Sequence, residues 1–573
     1  LFGGVGINLL RPPAWGRAQE TYGEDPHHLG EMGVAMVRGA QRHVMACVKH
    51  FAANSMENAR FKVDVRIGER ALREVYLPHF KRCIDAGAAS IMSAYNKVNG
   101  QYCGHNRRLL TDTLKKEWGF AGFVISDFLL GIRDTVAAAS SGMDIEMPFT
   151  WHFGRRLLRQ VRKGRVPEER IDDAVLRILR QKIRFSKIGE PGRYGRHAVG
   201  CEAHRRLARE AAVKTIVLLK NDPPEPDGSP LLPVDVARIA RVVLIGKLAA
   251  SGNTGDNGSS RVRPPYVVTP LEGIRAAASP GTEVSWHNGR NLNTAAEAAG
   301  RADMAIVIAG YNHRHEGEYI PFPPKGGDRD NLALSRHDED LIDQVVRANP
   351  LTVVVLIGGS AIVTENWRHK VPAILMAWYP GMEGGHAIAD ILFGKVTPGG
   401  RLPCVFPKSA AQLPFFDRKA ESIEYGLYHG YRLMEKRGWE PAFAFGFGLS
   451  YTTFAYRNLR LDPYEIGTDG ELRITIDVVN TGSMSGDEVV QLYVGYRNTA
   501  IDRPVKELKG FRRIRLEPGE TREVEFTLLA RQLSFYDENN SKWNVDAVSY
   551  QIYVGKSSSH ADLVRAVFKV KNR

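Results

Sequence analysis

"GFVISDFLLGIRDT", residues 122–135, begins as an apolar run of β-forming residues and stops abruptly at Ser126 and Asp127. An apolar run of this length that ends in polar residues is typical of a strand in a parallel βα fold. In such folds the carboxyl ends of the strands open into the active site. The stretch therefore predicts a βα fold with Asp127 where chemistry takes place, although an isolated acid there is also compatible with a turn or a helix cap.

The same alternation of short β-like runs and longer helical runs extends from the start of the chain to about residue 190. The other strand candidates are "HVMACVKHF" (43–51), "AASIMSAYNKVNG" (88–100) and "SGMDIEMP" (141–148). The helical candidates are "GERALREVYLPHFKRCIDAG" (68–87) and "PEERIDDAVLRILRQKIRF" (167–185). Since a (β/α)8 barrel usually needs about 250 residues, residues 1–190 are predicted to be a barrel-type catalytic domain whose first strands are missing.

Two further domains are predicted after a Pro-, Gly- and Arg-rich linker at 191–205. Residues 206–425 contain near-continuous apolar strands such as "LTVVVLIGG" (351–359), which favour a parallel sheet covered on both faces. After a linking segment at 426–454, residues 455–573 show alternating strands without helices, the pattern of a small antiparallel β-sandwich. The predicted fold class is α/β multidomain: an incomplete (β/α)8-type barrel, an α/β sandwich and a β-sandwich.

Composition narrows the functional classes. The chain has 573 residues, of which 43% are hydrophobic and 25% charged, as in globular proteins of two to four domains. No uninterrupted apolar run approaches the roughly 20 residues of a membrane helix. The net charge of +14 comes from Lys and Arg scattered among acids, which argues against a nucleic-acid partner.

The first residues of the chain do not indicate the cellular location of the protein. It begins with Leu1 rather than Met, without the pattern of a signal peptide, and we expect a fragment or a processed product. Secretion, a periplasmic location and a cytoplasmic location all stay open, as does the oligomeric state, with a homodimer among the alternatives. The five cysteines have no metal-type spacing and are interpreted as structural thiols.

Polar residues close the other strand candidates as well. These are Lys49, His50, Tyr95, Asn96, Asp144 and Glu146. In a barrel the strand ends converge on one mouth, which predicts a pocket of carboxylates, cationic donors and a phenol for a hydroxyl-rich, uncharged ligand. A metal site is not predicted, because His50 has no partner His or Cys at ligand spacing, and no organic cofactor is expected. A serine nucleophile is not predicted either, because Ser126 is not in a G-x-S-x-G elbow.

A second carboxylate is available in "YNHRHEGEYIPFPPKGGDRDNLAL" (311–334), which follows an apolar strand and contains Glu316 and Glu318. Two carboxylates can cleave a glycosidic bond, one as nucleophile or base and the other as acid. The sequence pattern is also compatible with a solvated loop in which Glu316 and Glu318 are ordinary surface acids.

Eight motifs in order along the chain resemble glycoside hydrolase family three, the β-glucosidase group. They are "NLLRPPAWGRAQETYGEDP", "KHFAAN", "ERALREVYLPHF", "MSAYNKVNG", "GFVISDF", "GMDIEMP", "YPGMEGGHAIADILFGKVTPGGRLPCVFP" and "FAFGFGLSYTTF". The resemblance covers essentially the whole chain and implies a fibronectin type III-like carboxyl-terminal domain. It also implies a retaining exo-β-glycosidase that releases terminal β-D-glucose from oligosaccharides or β-glucosides by double displacement. A β-xylosidase or other exo-β-glycosidase, and an inactive sugar-binding relative, are the alternatives.

The resemblance also assigns roles to residues. Asp127 falls on the family nucleophile and Glu316 on the acid/base, with Glu318 as the alternative because an insertion separates this loop from Asp328-Arg329. The implied sugar-binding residues are Arg17, Lys49, His50, Met92, Tyr95 and Phe128. Neighbouring cations such as Arg17 and Lys49 are expected to lower the pKa of Asp127.

Two departures from the family pattern matter. Phe128 stands where the family commonly has Trp, which keeps an aromatic wall but removes an indole donor. The Asp that normally grips the far hydroxyls of the terminal sugar is expected upstream of Leu1. If nothing precedes Leu1, we expect weak or absent activity and poor stability of the barrel.

Overall fold

The structure is a computed structural model that describes residues 1–188, 195–225, 228–321 and 323–572. Part of the predicted linker at 191–205 lies outside the described residues. The chain packs as two units. The amino-terminal unit comprises Leu1–Tyr194, Phe415–Tyr428 and Phe535–Asn544, and the carboxyl-terminal unit comprises Gly195–Pro414, His429–Ser534 and Val545–Arg573.

Parallel strands form the centre of the amino-terminal unit. Its strands are β1 (Cys47–Phe51), β2 (Asp64–Arg66), β3 (Ser90–Ser93), β4 (Lys97–Val98), β5 (Gln101–Tyr102) and β6 (Phe123–Ile125). β1, β3 and β6 lie side by side in that order and are almost wholly buried, as their apolar sequences predict. Isolated parallel bridges continue the sheet at both edges, from Phe2 to Ala46 and Gly6 to Lys49 beside β1, and from Ile125 to Ile145 beside β6. Five extended segments therefore run in parallel, the arrangement expected of part of a barrel.

Helices cover these strands. They are α1 (Pro26–Ala40), α2 (Glu69–Ala71), a π-helical segment (Leu72–Tyr76), α3 (Pro78–Asp85), a second π-helical segment (Arg108–Glu117), α4 (Thr135–Ser141), α5 (Arg155–Arg162) and α6 (Glu168–Ser186). The predicted single helix at 68–87 is thus interrupted before Pro78, because proline lacks the N–H that continues a helix. α1 begins at Asp25, whose side chain accepts hydrogen bonds from the N–H groups of His27 and His28.

The carboxyl-terminal unit contains a six-stranded sheet. Its elements are α7 (Glu202–Thr215), β7 (Val217–Asn221), β8 (Arg241–Ile245), α8 (Pro270–Ala277), β9 (Glu283–His287), α9 (Leu292–Arg301), β10 (Met304–Gly310), α10 (Arg336–Ala348), β13 (Thr352–Ile357), β14 (Ala373–Met376), α11 (Gly384–Leu392) and α12 (Gly430–Arg437), with the hairpin β11 (Gly317–Pro321) and β12 (Pro324–Gly327) between β10 and α10. The strand order is β7-β14-β13-β10-β8-β9, and only the edge strand β7 runs antiparallel to its neighbour. The buried strands β10 and β13 confirm the predicted α/β layer.

A β-sandwich follows, as predicted. Its strands are β16 (Phe454–Asp462), β17 (Glu465–Gly467), β18 (Glu471–Asn480), β19 (Gly486–Arg497), β20 (Glu507–Leu516), β21 (Thr521–Leu529), β24 (Ser549–Gly555) and β25 (Leu563–Lys571), with β22 (Phe535–Asp537) and β23 (Lys542–Asn544) inserted before β24. The sheets are β16-β18-β21 and β17-β25-β24-β19-β20. Their inward-facing apolar residues form a single core.

Two segments belong to the amino-terminal unit although the sequence boundaries assign them elsewhere. Strand β15 (Ser422–Glu424) pairs in parallel with β2. The β22–β23 hairpin lies against α2 and the π-helical segment that follows it, where the Tyr536 N–H donates to Glu74 Oε1 at 2.7 Å. The Arg73 guanidinium lies 4.6 Å from the centre of the Tyr536 ring. Within the described part of the chain, no helix has the length and apolar character needed to cross a bilayer.

Candidate active site

The predicted site residues of the amino-terminal unit lie at the carboxyl ends of adjacent strands. Lys49 and His50 lie in the carboxyl-terminal half of β1, Tyr95 follows β3, and Asp127 follows β6. Since these three strands are parallel neighbours, their carboxyl ends lie on one edge of the sheet. The structure therefore brings these four residues to one place.

Asp127 is held by its own turn. Its side chain is buried, and its Oδ1 accepts a hydrogen bond from the Phe128 N–H at 2.8 Å. Oδ2 is also buried but has no hydrogen-bond partner among the described residues. The turn closes so tightly that a Cβ on Gly131 would lie 2.4 Å from the Asp127 carbonyl oxygen. One carboxyl oxygen is thus oriented, while the other has its lone pairs available.

Burial raises the pKa of Asp127 above its usual value, while the charges of Arg17, Arg60 and Lys49 act in the opposite direction. The expectation that cations would lower this pKa is therefore wrong in its net sign. Removing a carboxylate from water disfavours its charged form, and here that cost outweighs the attraction of the three cations.

His50 lies beside Asp127 as a neutral ring. Burial lowers its pKa well below the usual value, and Arg17, Lys49 and Arg60 lower it further. The 3.7 Å approach of its Nε2 to Asp127 Oδ2 is therefore not an ion pair. Arg17 Nη1 lies 3.3 Å from Nε2, and because a guanidinium only donates, Nε2 accepts. The ring proton then sits on Nδ1, which is 3.2 Å from Asn8 Oδ1.

The arginines near Asp127 have acidic partners that the sequence analysis did not identify. Arg17 donates to both carboxyl oxygens of Glu20, at 2.8 and 2.7 Å, and is almost completely buried. Arg60 pairs with the buried Glu57 at 2.9 Å. Both pairs have a spacing of three residues, a sequence signal that was available. Asn8 had no such signal, because its partner His50 is 42 residues away.

The aromatic residues of the site are linked through the backbone of the Asp127 turn. The Tyr95 hydroxyl donates to the Phe128 carbonyl oxygen at 2.7 Å, and the Arg60 guanidinium lies 5.2 Å from the Tyr95 ring centre. The Phe128 side chain is 44% exposed. Met92 differs from the others, because it packs among Cys47, Phe123 and Ile125 in a small buried cluster.

Two other acids predicted at a strand end, Asp144 and Glu146, have structural partners, and those of Asp144 correct the expectation that its carboxylate is available in the pocket. Asp144 forms ion pairs with Lys115, at 2.7 Å, and with Arg170, and it accepts the Val124 N–H. Glu146 Oε2 accepts the N–H groups of residues 152 and 153 at 2.8 and 2.7 Å. Both oxygens of Asp144 and the Oε2 atom of Glu146 are therefore occupied by structural partners.

Glu316 belongs to the carboxyl-terminal unit and is 1% exposed. Its Oε1 accepts hydrogen bonds from the Gly359 N–H and the Tyr379 hydroxyl, both at 2.6 Å. Arg329 Nε lies 3.3 Å from Oε2, which has no hydrogen bond with good geometry among the described residues. Burial raises the pKa of Tyr379 well above its usual value, and Glu316 adds to that effect. Tyr379 is therefore a permanent donor.

Glu318 lies two residues further on, in the hairpin strand β11. It is partly buried, its Oε2 accepts the Ser259 N–H at 2.6 Å, and its own N–H donates to Asp256 Oδ1 at 3.1 Å. Over the described ranges, no group of three or more His, Cys, Asp or Glu side chains is arranged to hold a metal ion.

Comparisons with known proteins agree with this architecture. Residues 7–181 match the Glycosyl hydrolase family 3 N terminal domain, residues 216–451 the family's C-terminal domain, and residues 488–558 the Fibronectin type III-like domain. The chain belongs to glycosyl hydrolase family 3. The family resemblance inferred from the motifs, and with it glycoside hydrolase activity of the exo-glycosidase group, is confirmed.

Relatives within the family carry different activities. The chain is 35% identical to Beta-glucosidase BoGH3A of Bacteroides ovatus, over 97% of this chain and 79% of that protein. It is 33% identical to Beta-xylosidase of Formosa agariphila, over 97% and 81%. Its fold is similar to the crystal structure of the GH3 beta-glucosidase of Bifidobacterium adolescentis, with a TM-score of 0.88, 32% identity and coverage of 99% of this chain and 82% of that one. The family and its glycosidase chemistry are thus shown, while the sugar removed differs among the relatives.

Proposed function

We propose that the protein is a retaining exo-β-glucosidase in which Asp127 is the nucleophile. The observation that carries this proposal is the state of the Asp127 carboxyl: Oδ1 is fixed by the Phe128 N–H, while Oδ2 is buried without a hydrogen bond among the described residues. A nucleophile needs one oxygen with free lone pairs and a fixed orientation. Asp144, which is also buried, lacks that free oxygen.

In the proposed first step, Asp127 Oδ2 attacks the anomeric carbon and forms a covalent glycosyl-enzyme, while the leaving oxygen takes a proton from an acid. Glu316 is the proposed acid, with Glu318 as the alternative on the same loop. In the second step the resulting carboxylate takes a proton from water, and this water releases the sugar with retention.

Neighbouring donors suit an uncharged sugar. Lys49 is half-buried, and Arg17 is held rigidly by Glu20. We assign both as donors to sugar hydroxyls, with Tyr95 and His50 fixing the shape of the pocket. Met92 packs beneath them, and the half-exposed Phe128 offers an apolar surface to the sugar.

Glucose is proposed as the released sugar because the relative from Bacteroides ovatus and the structural neighbour from Bifidobacterium adolescentis are β-glucosidases. The β-xylosidase of Formosa agariphila supports xylose as the second candidate. The two sugars differ by one hydroxymethyl group, so kcat/KM for 4-nitrophenyl β-glucoside and 4-nitrophenyl β-xyloside, measured side by side, decides between them.

The nucleophile is tested by incubating the protein with a fluorogenic 2-deoxy-2-fluoro-β-glucoside and mapping labelled peptides by mass spectrometry. We expect one label, on the peptide that contains Asp127, and none in the Asp127→Asn variant. Label on another acid would move the role to that residue. A folded protein without any label would identify an inactive sugar-binding relative.

A further inference from the structure

A separate cavity of about 680 Å³ lies within the carboxyl-terminal unit. Helix α12 contributes Glu435 to its lining, the turn after this helix contributes Trp439, and the sandwich contributes the loop at 558–562. The Ser558 N–H donates to the Phe445 carbonyl oxygen at 2.9 Å, which joins that loop to the segment after α12. The volume is in the range of small-molecule sites.

The lining combines aromatic surface with hydrogen-bonding groups. Its aromatic side chains are Tyr431, Trp439, Phe443 and Phe447. Its polar side chains are Glu435, Glu440, Ser558, Ser559, His560 and Asp562. The described lining contains no Lys or Arg, although the chain carries a net charge of +14. Flat apolar surface beside hydroxyl and carboxyl groups complements a neutral sugar ring, which presents C–H faces and hydroxyl edges.

Trp439 is the large aromatic side chain of this cavity that water reaches most. It is 39% exposed, whereas Tyr431 and Phe443 are buried and Phe447 is half-buried. The Arg437 guanidinium lies 5.9 Å from the Trp439 ring centre, a weak cation–π contact on the turn after α12. A partly exposed indole in a concave site is available for stacking.

Glu435 provides an independent sign of a ligand. Its side chain is 14% exposed, and its Oε1 pairs with the fully buried Lys506. Its Oε2 is buried and has no hydrogen-bond partner among the described residues. Burial raises the pKa of Glu435 to about 7, against the opposing effect of Lys506. A buried polar atom in a native structure normally has a partner, and a ligand hydroxyl would supply one once the partly exposed Glu435 side chain turns Oε2 toward the cavity.

We propose that this cavity is a second carbohydrate-binding site, which accepts a neutral β-linked oligosaccharide. Trp439 stacks on a sugar ring, and Glu435 Oε2 accepts a hydrogen bond from a sugar hydroxyl. The proposal follows from the chain's membership of a glycosidase family and from this cavity. It does not depend on Asp127 or Glu316, neither of which lines the cavity.

The test uses isothermal titration calorimetry of the full chain in an Asp127→Asn background, with cellotetraose and xylotetraose as separate probes. Adding Trp439→Ala should weaken binding of at least one probe about tenfold, the equivalent of one lost stacking contact. Trp543→Ala is the matched control, because that tryptophan is 46% exposed and belongs to the other unit. It should leave binding unchanged.

Trp439→Tyr should restore most of the binding, which separates loss of an aromatic surface from loss of the fold. In the otherwise unaltered protein, Trp439→Ala should leave kcat/KM for an aryl β-glucoside within about twofold, since this substrate has a single sugar. Equal binding of both probes by the Trp439→Ala and Trp543→Ala proteins would overturn the proposal, as would absence of binding by the parent. The label on Asp127 is read separately, so failure of the second site and failure of the proposed function give different results.

Discussion

Asp127 and Glu316 belong to different units, and in each of them one carboxyl oxygen accepts hydrogen bonds while the other accepts none with good geometry. In Asp127, the Phe128 N–H fixes Oδ1 and leaves Oδ2 without a hydrogen bond. In Glu316, the Tyr379 hydroxyl and the Gly359 N–H fix Oε1, and Oε2 again has no hydrogen bond with good geometry. In both, hydrogen bonds fix one oxygen, and the other has no hydrogen bond with good geometry among the described residues.

The cations around the two acids differ. The arginines near Asp127 have acidic partners of their own, Arg17 with Glu20 and Arg60 with Glu57. Glu316 has Arg329 directly beside it, 3.3 Å from Oε2. In the proposed mechanism the charge of Asp127 is left for a carbon centre, whereas Arg329 would stabilise the carboxylate that remains after Glu316 has given up a proton.

The largest effect is expected from Asp127→Asn, which keeps the shape of the side chain but removes the nucleophilic oxygen. We expect kcat for an aryl β-glucoside to fall by about 10⁴-fold or more. Steady-state assays with 4-nitrophenyl β-glucoside measure this, and Asp172→Asn on the exposed side of α6 is the control. Turnover within tenfold of the parent would show that the free oxygen of Asp127 is not the reacting atom.

Glu316→Gln should have the second-largest effect, because the amide cannot donate the catalytic proton. We expect kcat/KM to fall by about 10² to 10⁴-fold for poor leaving groups and much less for activated ones, with azide restoring the rate of activated substrates. A series of aryl β-glucosides of graded leaving-group pKa measures this dependence.

Glu318→Gln is the matched control for Glu316→Gln, since it changes the same functional group two residues away. It should leave the leaving-group dependence unaltered. If Glu318→Gln alone produces the dependence, the acid is Glu318, and the buried pair of Glu316 with Arg329 is structural.

The comparison also shows what sequence could predict. Asp127, Lys49, His50 and Tyr95 were located because an apolar run that stops at a polar residue marks a strand end, and such ends share one edge of a parallel sheet. Asp144 follows the same pattern, yet its oxygens are occupied. What separates it from Asp127 is contact with Lys115 and Arg170, which lie 29 and 26 residues away.

Long-range partners limited the prediction elsewhere as well. Asn8, which sets the tautomer of His50, and the β22–β23 hairpin, which packs with the amino-terminal unit, are joined to their partners only by the fold. The sign of the pKa shift of Asp127 was missed for a related reason. Sequence reveals which cations are near in the chain, but the depth of burial that outweighs them is a property of the packed structure.

Gly131→Ala tests whether orientation of Asp127 matters apart from its chemistry. The new Cβ would lie 2.4 Å from the Asp127 carbonyl oxygen and 2.7 Å from its nitrogen, so the turn must shift. A displacement of this kind should lower kcat by about 10- to 100-fold.

Gly39→Ala is the control for Gly131→Ala, because a Cβ there meets no atom within 4 Å. Being in the last turn of α1, it should leave kcat unchanged and raise the free energy of unfolding by up to about 1 kcal/mol. Equal activity of the two variants would contradict the view that the turn positions the nucleophile.

The smallest effect is on stability and concerns the cost of burying Asp127. The pKa of Asp127 in the folded protein is raised above 3.8, so the protonated carboxyl is favoured by folding. The stabilisation that results is fully present below pH 3.8 and is lost as the pH rises through the folded pKa. Asn does not titrate, so the unfolding free energy of Asp127→Asn, relative to that of the parent, should increase between pH 4 and pH 7. Urea unfolding at the two pH values measures this difference. A relative stability that falls over the same interval would mean that the cations outweigh the cost of burial at Asp127.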